Sequence, residues 1–209
     1  MGTTQRFAVL LALVSAACVA PASADVVYTN FGAGDSYDTG NAYGLNQTTG
    51  ESFTPGANYE FTDVVLPMAE FNGTTSADVY LESDSTGVPG TILDTLVQQS
   101  QITNSRSFIT FDASPSCATC TLTAGTKYWI VAAGNSGVYW FENNQGDKGV
   151  ATYNSSSWSY NSNGTSAAFQ VDGTPLTSAV PEPQYLPLLG AAFLAGVFLR
   201  RKRAGSPIQ

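Results

Sequence analysis

The 209-residue chain carries 16 Asp and Glu against 8 Lys and Arg, a net charge of −8, and it has no histidine. Such an acidic surface repels phosphate backbones, which disfavours nucleic-acid binding. Without histidine there is no Ser-His-Asp or Cys-His nucleophilic site, and most zinc sites are excluded too.

At the N-terminus Arg6 precedes an apolar and small-residue stretch from Phe7 to Ala20, followed by Ala22-Ser23-Ala24. This order predicts a secretory signal peptide over residues 1–24, with Ala22 and Ala24 as the small side chains that signal peptidase accepts and a mature start at Asp25. A competing lipoprotein reading takes Cys18, after Ser15-Ala16-Ala17, as the lipidated residue, but that box lacks the usual Leu.

Residues 25–179 form one expected domain, long enough to bury about two thirds of its unfolded surface. All acidic residues except Glu182 fall within it, but only Arg106, Lys127 and Lys148 of the basic ones, so 15 carboxylates face 3 cations for a net of −12. Ala77, Val79 and Leu81 alternate with Asp78, Tyr80 and Glu82, the period of a half-buried strand. The turn-forming run Asp84 to Gly90 follows, then an apolar stretch from Ile92 to Val97. Further short runs lie at 25–29, 60–66, 107–111, 127–132, 137–141, 149–153 and 167–171. No segment sustains an amphipathic helical pattern. The expectation is an all-β, antiparallel, jelly-roll-like β-sandwich.

Chemistry-bearing residues are sparse. Cys117-Ala118-Thr119-Cys120 follows Pro115 and Ser116 in a predicted loop, where a local disulfide is expected in an oxidising compartment. Glu70, Asp78, Glu82 and Asp84 are the carboxylates available for hydrolysis. Asp78 and Glu82, four residues apart on one strand face, would be about 13 Å apart, beyond the roughly 5–9.5 Å that glycoside hydrolysis uses. They are read as a solvated face. Trp129, Tyr139, Trp140, Tyr153, Trp158 and Tyr160 crowd the C-terminal third. Alternation places Trp140 opposite Tyr139 and Phe141, and Trp158 and Tyr160, among Ser and Asn, are the candidates for stacking on sugar rings. The loops at Asp35–Asp38 and Glu142–Asp147 offer calcium-type oxygen ligands, yet neither has EF-hand spacing and Asx turns use the same residues. No cofactor and no metal ligand are assigned.

Read together, Gly34-Asp35-Ser36-Tyr37-Asp38, the 78–93 segment, Leu122 to Trp129 and the Trp140 and Trp158 regions resemble a choice-of-anchor R domain over most of residues 25–175. That family comprises exported bacterial domains ending in surface-sorting signals, and it lends no activity.

The C-terminus carries Val180-Pro181-Glu182-Pro183, an apolar run from Tyr185 to Leu199, and Arg200-Arg201-Lys202-Arg203 before a six-residue tail, 204–209. The run suits a single transmembrane helix of about 22 Å, short of the roughly 30 Å hydrocarbon core. The four cations act as a stop-transfer signal and stay cytoplasmic. The order of the three parts over residues 180–203 resembles the PEP-CTERM sorting signal of Gram-negative bacteria. That resemblance implies recognition of Pro181, Glu182 and Pro183 by exosortase, removal of the tail, and display at the cell surface. The sequence therefore leads to an exported, non-enzymatic protein of the cell envelope or exopolysaccharide matrix, held by the membrane until processing. A carbohydrate-binding module is the alternative and a secreted hydrolase the third choice.

Overall fold

The computed structural model describes residues 24–117, 120–134 and 136–176. Ala22, the Val180–Pro183 motif, the 185–199 run and Arg200–Arg203 lie outside the described residues. Within them the chain forms β1 (Asp25–Thr29), β2 (Ala42–Gly44), β3 (Thr48–Phe53), β4 (Tyr59–Glu70), β5 (Ala77–Ser85), β6 (Val88–Thr95) and β7 (Val97–Gln98). There follow β8 (Ser107–Asp112), β9 (Thr121–Leu122), β10 (Tyr128–Gly134), β11 (Val138–Phe141), β12 (Lys148–Tyr153), β13 (Trp158–Thr165) and β14 (Gln170–Pro175), with one 3-10 turn at Pro115–Cys117. The fold is all-β.

Two antiparallel sheets share these strands. The eight-stranded sheet is built on the long β4, with β14 and β11 placed end to end along one of its edges and β8 and β9 along the other. The six-stranded sheet runs β13-β12-β3-β10-β5-β6. Period-two alternation sends Val64, Leu66 and Met68 of β4, Ile109 and Phe111 of β8, Val79 and Leu81 of β5, and Ile130 and Ala132 of β10 into one core between the sheets. Trp140 joins that core and donates its indole N–H to the Ala168 carbonyl at 2.7 Å. Tyr139 and Phe141 face outward, as alternation requires.

The six-stranded sheet is rolled. Its edges, β6 and β13, approach each other across the face turned away from the core, and β6 also reaches over β10. This roll encloses a second, smaller cluster of Trp129, Val131 and Ala151, against which Tyr80 and Trp158 pack. Gly50 makes the closure possible: a Cβ there would stand 2.9 Å from the Pro89 ring and 3.5 Å from Trp129 and Val131. The turn expected over Asp84–Gly90 is shorter than its composition suggests. Thr86 and Gly87, with φ of 56° and 90°, make the whole reversal, and Val88-Pro89-Gly90 belongs to β6.

Between β13 and β14 the chain crosses from one sheet to the other through buried space, so its backbone polar groups need internal partners. Asn30 supplies two: its amide donates to the Ala167 carbonyl at 2.8 Å and its carbonyl accepts from the Phe169 N–H at 2.7 Å. Glu51 accepts from the Ala167 N–H at 2.7 Å, and the Asn143 amide donates to the Ser166 carbonyl at 2.7 Å. The run expected to be a strand at 167–171 is largely this crossover, and β14 begins at Gln170.

The described segment starts and stops at one end of the sandwich. Asp25 pairs with Gly173 and Pro175 with Tyr59 at the start of β4, whereas Phe71 follows the other end of that strand, about 36 Å away.

Candidate functional site

The far end of β4, opposite both ends of the described segment, carries Phe71, the most exposed large hydrophobic side chain among the described residues. On the outward face of the eight-stranded sheet, Phe71 is 62% exposed and meets Tyr139 edge-on, ring centroids 5.0 Å apart. Next to them the 31–42 segment folds over the sheet. Tyr37 sits between Phe108 (5.3 Å) and Phe141 (5.7 Å), and Phe31 packs edge-on against Phe108 at 5.1 Å. The Arg106 guanidinium lies over the Phe141 ring, 5.4 Å from its centroid. Between these groups opens a cavity of about 430 Å³ lined by Thr39, Gly40, Asn41, Ala42, Phe71, Arg106, Tyr139 and Phe141.

The electrostatics of this cavity are uneven. Asp38, at its rim, is satisfied internally: the Asn41 amide donates to it at 2.9 Å and the Gly40 N–H at 2.7 Å, and these bonds hold its pKa below the usual carboxylate value. Tyr37 is pushed up by burial, partly offset by Arg106. Arg106 itself has no hydrogen bond or ion pair among the described residues. Further along the same face, Asp112, Asp63 and Asp172 stand in one row across β8, β4 and β14. Burial, then the neighbouring Asp172, raises the Asp63 pKa. From Asp63 to Ala69, the residue of β4 beside Arg106, is about 20 Å, more than twice the Debye length in physiological salt.

A second surface at the same end is rich in amides. Asn46, Gln47, Thr48, Tyr153, Asn154 and Ser155 line an open groove of about 520 Å³, where the Gln47 amide donates to Asn154. Tyr153 is exposed and meets Trp158 at 5.5 Å.

Of the residues singled out from sequence, Trp158 and Tyr160 lie on β13 and share the face that closes over the second cluster. Trp158 is half-buried, and Tyr160, 47% exposed, meets the fully buried Trp129 edge-on at 6.1 Å. Glu82 corrects the expectation of a solvated face: the roll of the sheet leaves it only 6% exposed, and desolvation lifts its pKa to about 7. Asp84 accepts from the Trp129 indole at 2.8 Å, and Glu70 accepts from the Gly73 N–H. Each of these two carboxylates is thus engaged locally.

Cys117 and Cys120 form a disulfide, with Cα atoms 5.2 Å apart. Asp94, buried beside it, is held by the Ser114 N–H at 2.8 Å and hydroxyl at 2.5 Å. Asp94 and the two sulfurs are close enough to suggest a metal group, but the sulfurs are bonded to each other and offer no thiolate. The two loops weighed for calcium hold Asx-type turns. Asp38 caps Gly40, and the Asn143 carbonyl accepts from Gln145 and Asp147, both at 3.0 Å. Ala24 is exposed immediately before β1.

Sequence reasoning missed Glu51, Asn30 and Asn143, which organise the crossover, and Arg106, the cation of the aromatic cavity. In Thr48-Thr49-Gly50-Glu51-Ser52-Phe53 the β-branched Thr pair and Phe53 were the available strand signal. Nothing local marks Arg106, because its ring partner is 35 positions away in the chain. Comparisons with protein-family models, with curated proteins and with solved structures find no match to this chain.

Proposed function

We propose that this chain is an exported, non-enzymatic protein of a Gram-negative cell envelope or exopolysaccharide matrix, cleaved by signal peptidase after Ala24 and processed by exosortase at Val180-Pro181-Glu182-Pro183. The observation that carries this proposal is the succession of that motif, the uncharged Tyr185–Leu199 run and Arg200–Arg203, each part in the place a sorting signal needs it. The geometry is compatible with display. Because the described sandwich begins and ends at the Tyr59 end of β4, a membrane attachment beyond Leu176 presents the Phe71 end outward. The disulfide suits an oxidising compartment.

The test substitutes Pro181, Glu182 and Pro183 together by Ala in a host that has exosortase. The ectodomain is expected to accumulate as an uncleaved, membrane-bound precursor, larger on a gel than the wild type. Deleting Tyr185–Leu199 removes the stop-transfer segment and is expected to release a soluble species. Equal mass and equal membrane fraction for wild type and the triple variant overturn the proposal. The second reading, a carbohydrate-binding module, is favoured by one observation: the exposed rings Phe71 and Tyr153 both border open, polar-lined cavities at the end remote from the chain's exit.

A further inference from the structure

We propose that the cavity between Arg106 and Phe71 binds a saccharide bearing a carboxylate, with the guanidinium taking the carboxylate and the exposed ring taking the apolar face of the sugar. This inference rests on the carbohydrate-binding reading and adds the site and the charge of the ligand.

Three observations carry it. The first is the state of Arg106. A guanidinium has five N–H donors in a planar fork that matches a carboxylate. Here the ring of Phe141 holds the group in place, and no described residue accepts from it. The chain is strongly acidic, yet no carboxylate has been placed against this cation. Asp38, the acid at the rim, turns its oxygens to Gly40 and Asn41 instead.

The second is the shape and lining. The cavity is open, with Phe71 and Tyr139 as a wall and the Thr39–Ala42 segment as a polar border. The hydroxyls of Thr39 and Tyr139 have no hydrogen-bond partner among the described residues. Ring faces suit the C–H face of a pyranose, and unpaired hydroxyls suit its substituents, whereas a wholly apolar ligand would leave these polar groups desolvated and unpaired. An exposed Phe at 62% with nothing packed over it does little for the fold.

The third is the polarity of the sheet face. The Asp112-Asp63-Asp172 row is displaced toward the other end of β4, about 20 Å from the position beside Arg106, so in physiological salt its repulsion is largely screened at the cavity. An anionic sugar reaching the outward end of the domain therefore meets the Arg106 guanidinium, with Asp38 as the carboxylate at the cavity rim, before it meets the acidic row.

The experiment uses the full-length chain in detergent micelles, titrated calorimetrically with oligomers of galacturonate, glucuronate and mannuronate and with the methyl esters of the same oligomers. The esters keep the sugar ring and remove the charge. At least one free acid is expected to bind, with its ester weaker by about tenfold or more, since a charge-assisted paired hydrogen bond is lost. Arg106→Gln is expected to bring the acid down to the affinity of the ester and leave the ester unchanged, and Arg106→Lys to fall between. Phe71→Ala is expected to weaken acid and ester alike. Both side chains are exposed, and an unchanged melting temperature checks that the variants fold.

An ester that binds as tightly as its acid, or Arg106→Gln that binds the acid as wild type does, overturns the inference. If Tyr153→Ala abolishes binding and Arg106→Gln does not, a saccharide site exists at the amide-rich groove and the assignment to Arg106 is wrong. If no oligomer binds, the inference falls together with the carbohydrate-binding reading.

Discussion

Glu82 provides a direct physical test of the rolled sheet. Its carboxyl faces the second cluster beside Trp129, its cross-strand partner, and desolvation alone lifts its pKa from 4.5 to about 7. The sign follows from proton counting. Between pH 4.5 and about 7 the folded state holds a proton that the unfolded chain has lost, so the contribution of Glu82 is fully present below pH 4.5 and is lost as pH rises through about 7. Two and a half pH units at about 1.36 kcal/mol each give a ceiling of about 3.4 kcal/mol, and water reaching part of the carboxyl reduces this to about 1.5–2 kcal/mol. Glu82→Gln keeps the shape and removes the titration. Urea unfolding of the ectodomain at intervals from pH 4 to 8 is expected to show the variant close to wild type at pH 4 and more stable by about 1.5–2 kcal/mol at pH 8. The difference between the two curves isolates Glu82, because every other carboxyl titrates in both proteins. A difference that does not change with pH, or a variant less stable than wild type at pH 8, would refute the placement of this side chain beneath the roll.

Glu51 separates its two roles by substitution. Glu51→Gln retains an acceptor for the Ala167 N–H and removes a buried acid whose pKa lies well above the ordinary value, so it is expected to stabilise at neutral pH, whereas Glu51→Ala orphans that N–H and costs about 1–3 kcal/mol at pH 4, read from urea midpoints. Cys117 and Cys120 are expected to resist alkylation until reduced, as measured by mass. Replacing both by Ser is expected to cost about 2 kcal/mol or less, because the closed loop is short. Gly50→Val places methyl groups against Pro89 and the Trp129 ring and is expected to cost about 1–3 kcal/mol and to raise Trp129 exposure to acrylamide quenching.

The parts of the fold that could be read from sequence are those where one strand face meets the main core. Val79 and Leu81 turn inward as their alternation implies, and Trp140 turns inward while Tyr139 and Phe141 do not. The parts that could not be read depend on tertiary placement. β3 buries Thr49, Glu51 and Phe53 on one face, but a polar residue at two of three inward positions masks the period. β13 is absent from the expected runs because its Ser and Asn lie on the exposed edge of a rolled sheet, where composition carries no strand signal. Glu82 seemed solvated because a flat strand would expose it. The roll that buries it depends on a glycine 32 residues earlier and a proline 7 residues later. The aromatic cavity draws on residues 39 to 141, so its parts were visible singly and not as a site.

The carboxylates with resolved shifts give the domain an unusual charge balance. Glu51, Glu82, Asp63, Asp112 and Glu142 all have raised pKa values, with burial as the largest cause in each, and Asp38 is the one lowered by its hydrogen bonds. Acid denaturation ordinarily follows the loss of carboxylates that are paired or hydrogen-bonded as anions in the folded state. Among the described residues no ion pair is formed, so only the hydrogen-bonded part of that route is left, with Asp38 its one lowered group. Raised groups act in the opposite direction: each favours the folded state more as pH falls from neutral toward the ordinary carboxylate range. With no ion pair among the described residues and the rim carboxylate Asp38 bonded to backbone and amide donors, Arg106 has no carboxylate partner there, and its guanidinium, held over the Phe141 ring, is left available to an external one.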